Sequence, residues 1–213
     1  MAEDLEMRFR SASALVLFVG AATLLLAGST ATAHPEPSLI GRVWQLSFRY
    51  SKPRVITVRG LDNRQRWYWY MSYTVINNSN AEQFFVPEVT VATDRGDVIT
   101  AGRGVLGGAF SAIKKEIGDP LLENPAQVSG RILIGKDHAK ASVVIWPVFS
   151  KDIDQLTLFV AGLSGEKQAI SHPLTGEEIV LRKSLMLSFD TPGTPHSPQQ
   201  HQVKLRSKQW VMR

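Results

Sequence analysis

A chain of 213 residues with 44% apolar and 20% charged side chains falls in the ordinary globular range, with length for one domain or two small ones. It contains no cysteine, which excludes disulfide staples, thiolate metal sites and a cysteine nucleophile. The formal charge of +5 favours anionic surfaces but bears on solubility and non-specific contact more than on fold.

The first element is a targeting segment. Met7-Arg8-Phe9-Arg10 gives a short basic region, residues 12–27 an apolar stretch, and Ala31-Thr32-Ala33 a small-x-small cleavage pattern. Residues 1–33 therefore read as a secretory signal peptide, with translation starting at Met1 or Met7. An uncleaved anchor is the alternative, although the apolar run falls short of the roughly 20 residues that a spanning helix needs. This segment carries two arginines and three acids, so the chain from His34 onward has a net charge of +6.

Residues 43–50 alternate, with Trp44, Leu46, Phe48 and Tyr50 on one side. That is the pattern of a half-buried strand. Residues 55–58 form a second short strand, ended by Gly60 and a polar turn. Residues 66–76 carry the strongest strand signal: Trp67, Trp69, Met71, Tyr73 and Val75 on one face, Tyr68, Tyr70, Ser72, Thr74 and Ile76 on the other. An Asn-rich turn over 77–80 leads to a return strand over 84–93, in which Pro87 predicts an edge or a bulge. A tight turn at 94–97 precedes a strand at 98–100.

Residues 102–108 are a glycine-rich loop. Phe110, Ile113 and Ile117 have helical spacing and end at Gly118-Asp119-Pro120, a stop signal. Strands are expected over 128–134, 141–149 and 155–162, with a turn at 135–137. Short strands at 169–170 and 179–181 flank a hairpin-like loop, and a last strand spans 185–189. Residues 191–202 are rich in Pro, Gln and His, and the final residues are basic. Strands punctuated by turns every ten or so residues, without βαβ alternation, predict an all-β fold: an immunoglobulin-like antiparallel β-sandwich with one short crossover helix. The domain plan is a signal peptide over 1–33, a sandwich over 34–190, and a linker with a basic C-terminal tail over 191–213.

Three stretches carry a resemblance: Tyr73-x-Val75-x-Asn77 with its Asn-rich turn, the Asp94-Arg95-Gly96 turn, and Leu158-x-Val160-x-Gly162-Leu163. The chain from Trp67 to about Gly165 resembles uncharacterised exported proteins of planctomycete-type bacteria, and more broadly secreted bacterial immunoglobulin-like domains. The resemblance implies a fold and an exported location. Its motifs are turns and core positions, so it implies no activity.

Chemistry-bearing constellations are sparse. Residues 102–107 fit G-x-G-x-x-G between a strand and a helix, but a dinucleotide reading needs a βαβ unit, and the surrounding strands read as antiparallel. No histidine spacing makes a zinc site, no nucleophile elbow is present, and no cofactor is implied. Asp152/Asp154 and Glu177/Glu178 read as turn carboxylates. One chemical oddity is His34: cleavage after Ala33 makes it the mature N-terminus, where amine and imidazole together suit copper. A periplasmic copper-binding protein or enzyme using His34 is therefore the alternative function.

Two further surfaces qualify as binding candidates. Tyr68 and Tyr70, on the second face of the aromatic strand, make a possible aromatic platform. Lys204, Arg206 and Lys208 with Trp210 make a basic, aromatic tail suited to an envelope protein or an anionic wall polymer. Nucleic acid is not an expected partner of an exported chain, and membrane contact is expected only through the signal segment or the tail. The function expected is a non-catalytic structural or binding module of the cell envelope, periplasmic or extracellular.

Overall fold

The computed structural model describes residues 35–38, 43–149, 152–192 and 202–213. Residues 1–33, where a signal peptide is expected, His34 and the middle of the Pro/Gln/His-rich stretch lie outside the described residues. From residue 35 onward the chain forms one compact unit. It is an all-β antiparallel sandwich with one short helix, as the strand and turn pattern predicts.

The smaller sheet is centred on β3 (Gln65–Asn77). One edge of β3 pairs with β1 (Ser47–Tyr50) and β2 (Arg54–Arg59), and the other with β8 (Gly135–Pro147). The larger sheet runs through β5 (Glu88–Thr93), β6 (Val98–Thr100), β9 (Gln155–Ala161), β10 (Lys167–Ser171), β11 (Glu178–Asp190) and β12 (Lys204–Met212). A two-stranded ladder of β4 (Gln83–Phe85) and β7 (Gly130–Ile132) completes the set. Pro87 explains why the return strand is broken into β4 and β5, since it cannot donate to a ladder.

The two sheets meet through their alternating apolar faces. Trp69, Met71, Tyr73, Val144 and Trp146 from the smaller sheet pack against Val91, Leu158, Val160, Leu185, Leu187 and Phe189 from the larger one. Trp69 and Trp146 stack with ring centroids 6.4 Å apart. They are registered partners across β3 and β8, where cross-strand aromatic pairs stabilise a sheet.

Helix α1 (Gly107–Ile117) crosses from the larger sheet to the smaller and covers the latter's outer face. Ala109 and Ile113, four residues apart on one stripe, are fully buried against Tyr68, Tyr70, Val143 and Ile145. Gly118 ends the helix in a left-handed conformation, its N–H donating to the Lys114 carbonyl at 3.0 Å, the usual role of glycine at that position.

Three expectations change. The turn at 135–137 is instead the start of β8, with a register shift between Val75 and Asn77 absorbing the irregularity. The separate strands at 179–181 and 185–189 are one 13-residue strand, β11. Most importantly, residues 204–212 are not a tail: β12 pairs with β11 from Met212 opposite Lys183 to Lys204 opposite Asp190, and Val203 is buried in the core.

Candidate functional site

Tyr68 and Tyr70 do not form an exposed platform. Each is 1% exposed, because α1 lies over the face that carries them. Their hydroxyls act as fasteners for what covers them. The Tyr68 hydroxyl accepts from the Leu106 N–H at 3.3 Å, and the Tyr70 hydroxyl donates to Glu116 Oε1 at 2.8 Å. Burial, with Glu116 beside it, pushes the Tyr70 phenol up to about 12, so it stays a donor at physiological pH.

The basic cluster is also re-sited. Trp210 is half-buried on the core-facing side, opposite Leu185. Arg206 donates to Asp190 at 2.6 Å, Lys208 Nζ lies 5.6 Å from the Tyr50 ring, and Lys204 is exposed. They line an edge strand, where lysines also discourage edge-to-edge pairing. His172 has a local role: its Nδ1 accepts from the Leu174 and Thr175 N–H groups within a turn. Among the described residues, no group of three metal-ligating side chains is assembled. The copper reading of His34 falls outside the described residues.

The corner beside Trp210 is tied by a half-hidden ion pair. Glu166 accepts from Lys183 Nζ at 2.8 Å and from both the N–H and hydroxyl of Ser38 at 2.7 Å. The Lys183 ammonium beside the carboxylate and the Ser38 donors hold its carboxyl down at about 2. Lys183, 6% exposed, lies 5.4 Å from the Trp210 ring centroid.

One concavity among the described residues is announced by no sequence pattern. A cavity of about 290 Å³ opens at the free edge of β8. The loop of residues 101–107 supplies one wall, Phe110 of α1 and Pro125 another, and Val89 and Tyr73 the floor between the sheets. It is lined mostly by apolar groups, as small-ligand sites usually are. Burial pushes the Tyr73 phenol up to about 12, and the nearby Glu123 charge adds to this. The glycine loop thus has a use other than cradling phosphate: Gly102 and Gly104 take left-handed backbone, which lets the loop fold back over the sheet edge.

The edge itself is partly capped. The Val148 N–H donates to the Trp67 carbonyl at 2.9 Å, so every second residue back along β8 (146, 144, 142) points its backbone groups at β3. The residues between point theirs outward. Two of their carbonyls are occupied: Gly102 N–H donates to Ile145 O at 2.8 Å, and Glu123 N–H to Ala141 O at 2.9 Å. Val143, midway between them, has no backbone partner on this side among the described residues. Its residue is only 1% exposed and lines the cavity.

A second depression, about 400 Å³, lies on the outer face of the larger sheet between Glu88, Thr90 and Arg182. It is polar, and its aromatic floor is already covered by the Arg213 guanidinium, 4.3 Å from the Phe159 ring centroid.

No family model matches this chain, and no curated protein or solved structure matches it either.

Proposed function

We propose that this chain is an exported binding module of the bacterial cell envelope, non-catalytic, whose recognition site is the apolar cavity at the free edge of β8. The observation that carries the reading is the cavity of about 290 Å³ walled by the 101–107 loop and Phe110, because a formed apolar concavity with few polar groups is the usual shape of a binding site. The signal-like residues 1–33 support export. The motifs at 73–77, 94–96 and 158–163, read from the sequence as resembling exported planctomycete-type proteins, fit the same reading. Lys204 and Lys208, along the edge strand β12, supply the basic contact to an envelope protein or anionic wall polymer.

The test is expression of the full-length gene in a bacterial host, with a photo-cross-linking amino acid replacing Phe110. The reading expects the protein in the exported fraction, with an intact mass beginning at His34 and discrete adducts that disappear when Gly107→Trp fills the cavity. A β-carbon at Gly107, which lines the cavity, meets nothing within 4 Å, so the backbone there accepts a side chain, and urea unfolding of the variant checks that the fold is kept. Retention in the cytosol at full length contradicts export, and adducts unaffected by the filled cavity contradict the site.

A further inference from the structure

The cavity's chemistry narrows what it holds. A buried backbone N–H or C=O is almost always paired, and leaving one unpaired is costly. Val143 presents both toward a side where nothing among the described residues answers, although the residue is 99% hidden. Its side chain is spent under α1, with Tyr70 and Ile113, so only the backbone is offered. The pair of groups has the geometry of one position in an antiparallel ladder: its complement is a single residue that gives a carbonyl to the Val143 N–H and takes the Val143 carbonyl with its own N–H.

The length of the opening is also fixed. The flanking carbonyls of Ala141 and Ile145 are already occupied by Glu123 and Gly102. Four residues of extended strand span about 13 Å, so the opening admits one bonded residue and not a continuing strand. The walls beside it (Val144, Phe110, Leu106) are apolar. Strand addition to a free edge is an established recognition mode in which backbone bonds give affinity and pockets for alternate side chains give selectivity.

We propose that this cavity binds a short extended peptide unit: one apolar amino-acid residue flanked by two amides, its backbone paired with Val143 and its side chain in the cavity. This rests on the reading of the cavity as the binding site and specifies its ligand class. A free aliphatic or aromatic molecule fits the walls but leaves Val143 unpaired. A longer strand collides with the two caps.

The experiment titrates the ¹⁵N-labelled protein, made from the full-length sequence, with N-acetyl-leucine N-methylamide as the probe. Two comparisons accompany it: the ester analogue O-acetyl-leucic acid N-methylamide, in which an oxygen replaces the N–H that would reach the Val143 carbonyl, and indole, which is apolar and has no amide. The proposal expects a downfield shift of the Val143 amide proton with the amide probe, binding about fivefold weaker for the ester, as the loss of one hydrogen bond implies, and no saturable shift in Gly107→Trp. Equal binding of ester and amide overturns the peptide pairing. Indole shifting the Phe110 and Val144 signals while the amide probe does not bind also overturns it, yet leaves the cavity as a binding site. Binding of neither removes both the proposal and the site.

Discussion

Replacing Glu166 with Gln should destabilise the protein at neutral pH and leave it little changed in acid. Glu166 holds Lys183 at 2.8 Å and anchors Ser38 through two contacts of 2.7 Å, and the neutral amide removes the charge while keeping the shape. The carboxyl titrates at about 2 in the folded protein, against 4.5 ordinarily. That gap converts to about 3 kcal/mol at 1.36 kcal/mol per tenfold change. The Glu166 side chain keeps 14% of its surface, so solvent screening trims the pair to about 2 kcal/mol. The folded value is depressed, so the contribution is fully present above pH 4.5 and is lost as pH falls toward 2. Urea unfolding of both forms at pH 7, 5 and 3 measures it. The expected difference is about 2 kcal/mol at pH 7, narrowing steadily below pH 4.5. Parallel stability curves for the two proteins from pH 7 to pH 3 refute the reasoning, because Glu166 would then contribute the same whether charged or not.

Other outcomes follow from single contacts. Tyr70→Phe removes the hydrogen bond to Glu116 and should cost about 1 kcal/mol in urea unfolding, Glu116 being free to turn to water. Gly162→Ala should lower stability by about 1–3 kcal/mol in thermal melts, since Gly162 has φ +85° and a β-carbon there runs into the Val86 carbonyl. Ending the chain at Gln202 removes β12 and uncovers the β11 edge beside Leu185, Leu187 and Phe189; the expected result is loss of cooperative unfolding and aggregation, whereas an unchanged melting temperature contradicts the placement of β12 in the sheet.

The parts of the fold that sequence made legible are those where side-chain chemistry and burial agree. The aromatic alternation over 66–76 predicts β3 because both its faces are apolar, and both are covered, one by the larger sheet and one by α1. The spacing of Phe110, Ile113 and Ile117 with the glycine stop predicts the helix for the same reason. Where a charged residue occupies a sheet position, the alternation is hidden. Arg182-Lys183 reads as a gap, yet β11 runs through it because Lys183 is neutralised by Glu166, remote in sequence. Lys208 and Trp210 sit on the same face as Leu187 and Leu185, so β12 reads as a basic tail although it is a strand.

The site was hidden for a different reason. Tyr68 and Tyr70 invite a surface reading because amphipathic rings favour interfaces, and only the long-range packing of α1 shows that their faces are filled. The cavity draws its walls from β3, β5, β8, the 101–107 loop and α1, segments with no shared motif. Its polar feature is the main chain of Val143, which leaves no mark in residue identity. A loop with several glycines ahead of a helix is the one local hint, and it points as readily to a phosphate site that the antiparallel context rules out.

The most direct test of the account is amide hydrogen exchange along β8. Val144 N–H faces β3 within the ladder, whereas Val143 N–H faces the cavity. The account predicts exchange at Val143 at least about a hundredfold faster than at Val144 in the free protein, and slowing at Val143 alone when N-acetyl-leucine N-methylamide is present. Equal protection of the two amides in the free protein, or no change at Val143 with the probe, contradicts it.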